Sequence, residues 1–145
     1  MLEQLVEFGA PWRPGARELL TEIRDAGIPT GLVTMSIRRM AEHVAGQLGF
    51  VGFDVVVSGD DVTHSKPHPE PYLRGAELLG VNPAHCVAIE DSQPGVASAV
   101  ASGAVVIGVP FMVPISESPD HTLWPTLAGR GLADVRAVFN RVSTS

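Results

Sequence analysis

The sequence predicts an α/β fold with a mainly parallel sheet covered by helices on both faces. Two observations lead there. Segments with apolar residues at helical spacing alternate with short apolar runs of strand length. The polar residues best suited to phosphate or a cation fall just after those runs, at the carboxyl ends of strands, where parallel sheets bind ligands. Composition agrees, since 145 residues suit one domain and 45% hydrophobic against 18% charged residues can build a core.

The elements follow in order. Pro14 suits a first helical turn, Leu19, Leu20, Ile23 and Ala26 recur at helical spacing, and Gly27 suits a helix end. Ile28 to Thr34 reads as a buried strand. Ser36 can cap a second helix that turns Ile37, Met40, Val44 and Leu48 inward. Asp54 to Ser58 is strand-like, and residues 59–69 form a polar loop stiffened by Pro67 and Pro69. Pro71 opens a helix carrying Leu73, Ala76 and Leu79. Val87 to Ile89 is a strand closed by Glu90-Asp91, and Pro94 starts a helix rich in small residues. Val105 to Val109 is a further strand, and Leu132 to Phe139 a last helix.

Charge and composition exclude several classes. A net charge of −6 without a basic run argues against nucleic acid and anionic membranes as partners. No apolar run approaches the roughly 20 residues of a membrane span, and Met1-Leu2-Glu3-Gln4 lacks the basic start of a signal peptide. Cys86, the single cysteine, cannot form an internal disulfide, which favours a reducing, cytoplasmic setting. Neither a Gly-x-Ser-x-Gly elbow nor a P-loop occurs.

Three strand ends carry candidate chemistry. Glu90-Asp91 suits a hard cation such as Mg²⁺, which takes oxygen ligands and usually keeps water and substrate phosphate around it. The same pair would equally suit capping the helix that begins at Pro94. Lys66, held between proline-stiffened turns, is a compact charge for a phosphoryl group, or a solvated loop lysine. The Thr34 hydroxyl can donate to a phosphate oxygen beside neighbouring backbone N–H groups of Met35 and Ser36, and Ser36 is an alternative donor. His64 and His68 flank Lys66 but show no metal-ligand spacing to the cysteine.

In order along the chain, Arg13-Pro14-Gly15-Ala16, Gly31 to Ser36, Val57 to Val62, Ser65 to Tyr72 and Val87 to Val96 resemble the haloacid-dehalogenase-like hydrolase superfamily, nearest its beta-phosphoglucomutase-like phosphatases. The resemblance implies a Rossmann-like three-layer sandwich and phosphoryl transfer through an aspartyl-phosphate, with Mg²⁺ and a small phosphorylated metabolite. It implies that Thr34, Met35 and Ser36 bind the phosphoryl group, that Lys66 neutralises it, and that Asp91 with Glu90 holds the metal. Thr34 and Lys66 would be the catalytic groups.

The family's nucleophile lies in an Asp-x-Asp motif after its first, central strand, and this sequence contains no Asp-x-Asp. The resemblance therefore predicts an N-terminally truncated chain. Residues 1–11 would be the tail of a cap region or a linker, and residues 12–145 an incomplete core lacking its central strand. Such a chain would be inactive alone. The alternatives are a non-catalytic remnant that dimerises or binds a partner, and one half of a split enzyme. Leu2, Leu5, Val6 and Phe8 are spaced more like a helix than a strand, so the segment is not expected to fill the missing slot. An open slot would expose two strand edges and favour self-association.

Overall fold

The computed structural model describes residues 5–8, 14–47, 52–111 and 113–143. Six strands form one sheet in the order β3-β2-β1-β4-β5-β6, and every pairing is parallel. The strands are β1 (Leu5–Phe8), β2 (Thr30–Val33), β3 (Val55–Val57), β4 (Cys86–Glu90), β5 (Val105–Gly108) and β6 (Thr122–Leu123). Among the described residues the α-helices are α1 (Ala16–Asp25), α2 (Arg38–Gly46), α3 (Glu70–Leu79), α4 (Gln93–Ser102) and α5 (Leu132–Ser143). The four strands read from the sequence each end within a residue of their expected positions.

Side chains that alternate along the strands sort the helices into two layers. Leu32, Val87, Ile89, Val105 and Ile107 pack with Leu19, Leu20 and Ile23 of α1 and with Leu132, Val135, Val138 and Phe139 near and along α5. Their neighbours Val33, Ala88 and Val106 face the other way, against Tyr72 of α3 and Val96 and Ala99 of α4. A sheet buried on both faces needs apolar residues at nearly every strand position, which is why these strands read as continuous apolar runs rather than alternating ones. The result is a three-layer α/β sandwich.

The central slot is filled. Val6 pairs with Thr30 on one side and Val87 on the other, and the ladder runs on through Phe8 opposite Leu32 and Ile89. The helical spacing of Leu2, Leu5, Val6 and Phe8 predicts otherwise, and the structure corrects it for Leu5–Phe8. Two buried strands on either side offer rows of N–H and C=O groups that must find partners, and this demand outweighs a weak local periodicity. With the slot occupied by the chain's own β1, the sheet is continuous between β2 and β4.

Helix phases are corrected in two places. In α2, Ile37 and Met40 are about half exposed, and Ala41 faces the core instead. Arg38 sets that rotation: its guanidinium donates to the Val56 carbonyl at 2.8 Å and to the Asp61 carboxylate. Ile37, not Ser36, stands at the helix start, with no side-chain cap bond. Leu48, expected on the same face, lies outside the described residues. In α3, Leu73 is exposed while Pro71, Tyr72, Gly75 and Ala76 are buried. Pro14 precedes α1 in a turn instead of sitting in its first turn.

The β1 segment is expected to contribute to stability through its two ladders. Val6→Pro removes a ladder N–H in the middle of the sheet and should cost at least about 2 kcal/mol, the scale of a buried backbone group left unpaired. The measurement is the urea midpoint. An unchanged midpoint would mean that Leu5–Phe8 does not occupy the central slot in solution.

Candidate functional site

Strand order 3-2-1-4-5-6 reverses direction between β1 and β4, and the crevice beyond the carboxyl ends at such a point is where open parallel sheets bind ligands. Three connections meet there: the turn after β2, the loop leading to α3, and the β4–α4 turn.

Glu90 is the last residue of β4 and is only 2% exposed. A buried carboxylate must be paired to be tolerated, and this one is surrounded by donors. Lys66 and the Tyr72 hydroxyl both reach its Oε2. The Asp91 N–H lies 3.3 Å from its Oε1. On the same side a Cβ at Gly95 would fall inside the carboxylate, so the start of α4 can approach Glu90 only with glycine at that position. Glu90 and Asp91 therefore do not cap α4. Ser92 does, its hydroxyl accepting from the Gly95 N–H at 3.1 Å.

Lys66 joins the two halves of the crevice. Its ammonium donates to the Val33 carbonyl at 3.0 Å and to Glu90, and it lies over the Tyr72 ring at 5.2 Å. It thus touches the residue before Thr34 and the residue before Asp91. Among the described residues two of its three donors are used this way, which leaves one to turn toward the crevice. The supporting loop is tied down by more than its prolines. The Glu70 carboxylate accepts from the Thr63 N–H at 2.8 Å and from the His64 N–H and ring. The Thr63 N–H first, and then His64, hold the Glu70 carboxyl below its ordinary value against an opposing effect of burial. The Ser98 hydroxyl of α4 donates to the His68 carbonyl at 2.7 Å.

The turn after β2 is shaped from the opposite side. The Thr34 hydroxyl accepts from the Ser36 N–H at 3.2 Å, so its own proton is available to an oxygen in the crevice. Gly59 packs so closely that a Cβ there would lie 2.5 Å from the Met35 carbonyl oxygen, and its N–H donates to the Ser36 carbonyl at 2.8 Å. The stretch around Gly59 is in turn fixed by Asp61, which accepts from the Ser58 N–H, the Ser58 hydroxyl and Arg38. Burial pushes the Asp61 carboxyl up, but these hydrogen bonds outweigh it and hold the group below its ordinary value. Asp60-Asp61 is thus a clamp for the turn.

Thr34, Lys66, Glu90 and Asp91 therefore lie along one edge of the sheet, with Met35 and Ser36 in the turn beside them. The Glu90 carboxylate meets Lys66, Tyr72 and the Asp91 N–H, and it anchors the lysine. Asp91 follows Glu90 at the strand end and is partly exposed. Tyr72 escaped the sequence reading, although its place in the run after Lys66 was its one signal. A cavity of about 510 Å³ beside β6, lined by Glu117, Ser118, Pro119, His121 and Leu123, contains none of these groups and no permanent cation.

Breaking the anchor should cost more than trimming it. Lys66→Met leaves the buried Glu90 charge unpaired and is expected to lower stability by roughly 3–5 kcal/mol. Tyr72→Phe removes one donor and should cost about 1–2 kcal/mol. Urea unfolding measures both. Equal and negligible losses would mean that Glu90 is not buried as described.

Comparison with known proteins supports a shared lineage. A family model described as haloacid dehalogenase-like hydrolase matches residues 2–103. Hexitol phosphatase A of Escherichia coli is 41% identical over 99 residues, which are 66% of this chain and 44% of that protein. The crystal structure of CbbY from Rhodobacter sphaeroides in complex with phosphate aligns with a TM-score of 0.77 at 29% identity, over 86% of this chain and 58% of that one. Beta-phosphoglucomutase from Clostridium difficile has the same fold, with a TM-score of 0.80 at 24% identity over 92% of this chain and 58% of that one. The chain thus spans about half the length of the relatives it matches. A match across two thirds of the sequence, containing all three strand-end groups in order, makes the kinship plain: the chain belongs to the haloacid dehalogenase-like hydrolase family.

Proposed function

We propose that this chain is the phosphate- and Mg²⁺-binding part of a phosphohydrolase acting on a small phosphorylated metabolite. The observation that carries the reading is the Lys66 ammonium, held at the switch point of the sheet by Glu90 and the Val33 carbonyl. A cation fixed in place stabilises charge on a phosphoryl group without reorganising when the group arrives. Thr34 would donate its hydroxyl proton to a second phosphoryl oxygen, with the backbone of Met35 and Ser36 closing the cradle.

The fit to Mg²⁺ rests on the donor set. With Glu90 committed to Lys66, Asp91 is the one carboxylate of the pair suited to the ion. Mg²⁺ commonly binds through one or two carboxylates, with water and substrate phosphate completing its shell. When bound, the ion would neutralise phosphate charge and orient the ester. A sugar or sugar-alcohol phosphate is consistent with the name of the E. coli relative.

The nucleophile is the part these 145 residues do not supply. The residues that follow β1 in sequence, Gly9-Ala10-Pro11, contain no carboxylate, and no Asp-x-Asp occurs elsewhere. Attack through an aspartyl-phosphate needs that carboxylate. Binding and turnover should therefore separate in this chain. With Mg²⁺ and a generic phosphate ester, the 145-residue chain is expected to show no turnover. Inorganic phosphate should still bind in the presence of Mg²⁺, as read by phosphorus NMR titration. Lys66→Met should weaken that binding about tenfold or more, as removal of a charge-assisted contact would, and Asp91→Asn should remove its dependence on Mg²⁺. Turnover that survives Asp91→Asn, or phosphate affinity indifferent to Lys66, would contradict the proposal.

A further inference from the structure

The loop that carries Lys66 contains a second group of metal-ligating side chains, which the phosphate site does not use. His64, His68 and Glu70 each place a ligand atom within 4.8 Å of the other two. Both histidines are exposed and Glu70 is partly buried. The two imidazoles stack with centroids 4.6 Å apart and planes inclined by 24°.

We propose that His64, His68 and Glu70 form a binding site for a borderline divalent transition cation such as Zn²⁺, separate from the Mg²⁺ position at Asp91. Their hydrogen bonds already resemble those around a metal. The His64 ring meets Glu70 Oε1 through Nδ1 at 3.0 Å. A carboxylate on one ring nitrogen fixes the tautomer and leaves the other nitrogen's lone pair for a metal, the usual arrangement behind a ligating histidine. Glu70 is itself oriented by the Thr63 and His64 N–H groups, so this orienting group is in place before any ion arrives. His68 Nδ1 accepts from the Glu70 N–H at 3.0 Å. That bond lies at the exposed start of α3, where water can take over the donor if the ring turns to a cation. Two imidazoles, one of them oriented by Glu70, with the remaining coordination positions open to water, form a donor set that suits Zn²⁺. Mg²⁺ prefers oxygen ligands and has little affinity for imidazole.

The location gives the site a consequence. Lys66 lies between His64 and His68 in the sequence, and the His68 carbonyl is pinned to Ser98 of α4. A cation bridging the two rings would brace the loop whose lysine reaches Glu90. It would stabilise the folded chain in proportion to its affinity.

Calorimetric titration of the 145-residue chain with Zn²⁺ alone tests the inference, with Co²⁺ absorption as a spectroscopic readout and thermal unfolding recorded alongside. The expected result is one saturable site of micromolar affinity, a raised melting temperature, and no competition from millimolar Mg²⁺. Glu70→Gln should weaken binding about 10- to 100-fold, as loss of an orienting partner does. His64→Ala and His68→Ala should each weaken it at least as much. Since both rings are exposed, these variants should fold, and His68→Gln, which preserves size and polarity, provides a second check. Zn²⁺ affinity that survives the His64→Ala/His68→Ala double variant would overturn the proposal, as would the absence of saturable binding at submillimolar Zn²⁺. Neither outcome bears on phosphate binding at Lys66, so the two readings can fail separately.

Discussion

A carboxylate buried at the end of a central strand must be satisfied by the protein, and much of this fold is arranged around satisfying Glu90. At 2% exposure the charge is costly unless surrounded by donors. Lys66 and Tyr72 supply them from the loop before α3 and from α3 itself. Gly95 lets α4 close over the same carboxylate. One side chain thus fixes where a lysine stands, how α3 is rotated and how near α4 comes. The exposure of Leu73 follows, because the rotation that brings Tyr72 to Glu90 turns Leu73 to solvent.

The opposite wall of the crevice depends on a different device. Arg38, Asp61 and Ser58 tie the stretch after β3 to α2, and Gly59 presses that stretch against the turn after β2. These ties are more exposed than the Glu90 cluster, and exposed ion pairs contribute little to stability. Their effect is positional: they give the Thr34 turn one shape. The crevice is therefore framed by a buried charge network on the β4 side and a surface clamp on the β2 side. Lys66 spans the two through Val33 and Glu90.

The fold was legible in the sequence wherever apolar runs alternated with helical spacing. The strands around Leu32, Ala88 and Val106 appear as read, because strands buried on both faces leave an unambiguous apolar signature, and the apolar run around Val56 is legible although that strand is a partly exposed edge. The placement of Thr34 and Asp91 at one edge of the sheet was legible because each follows an apolar run of strand length, and Lys66 reaches the same edge through Val33 and Glu90. Other features depended on partners far along the chain. Nothing in Leu5–Phe8 itself reveals that two buried strands will take it as their neighbour. Glu90 looks like a metal ligand in sequence, and nothing local reveals that Lys66 and Tyr72 will meet its carboxylate. The pairing of Thr122–Leu123 with β5 is too short to leave a periodic pattern. Ile37 and Met40 follow helical spacing, yet Arg38 turns them outward.

The central claim is that Glu90 and Lys66 act as one unit that sets the position of the lysine. A double-mutant cycle on unfolding free energy, with Lys66→Met, Glu90→Gln and the combined variant, tests it most directly. The account predicts strong non-additivity, in the upper part of the roughly 0.5–3 kcal/mol found for residues in contact, with the double variant more stable than the sum of the single losses implies. Losses that add to within about 0.5 kcal/mol would show that the two charges do not depend on each other, and would contradict the account.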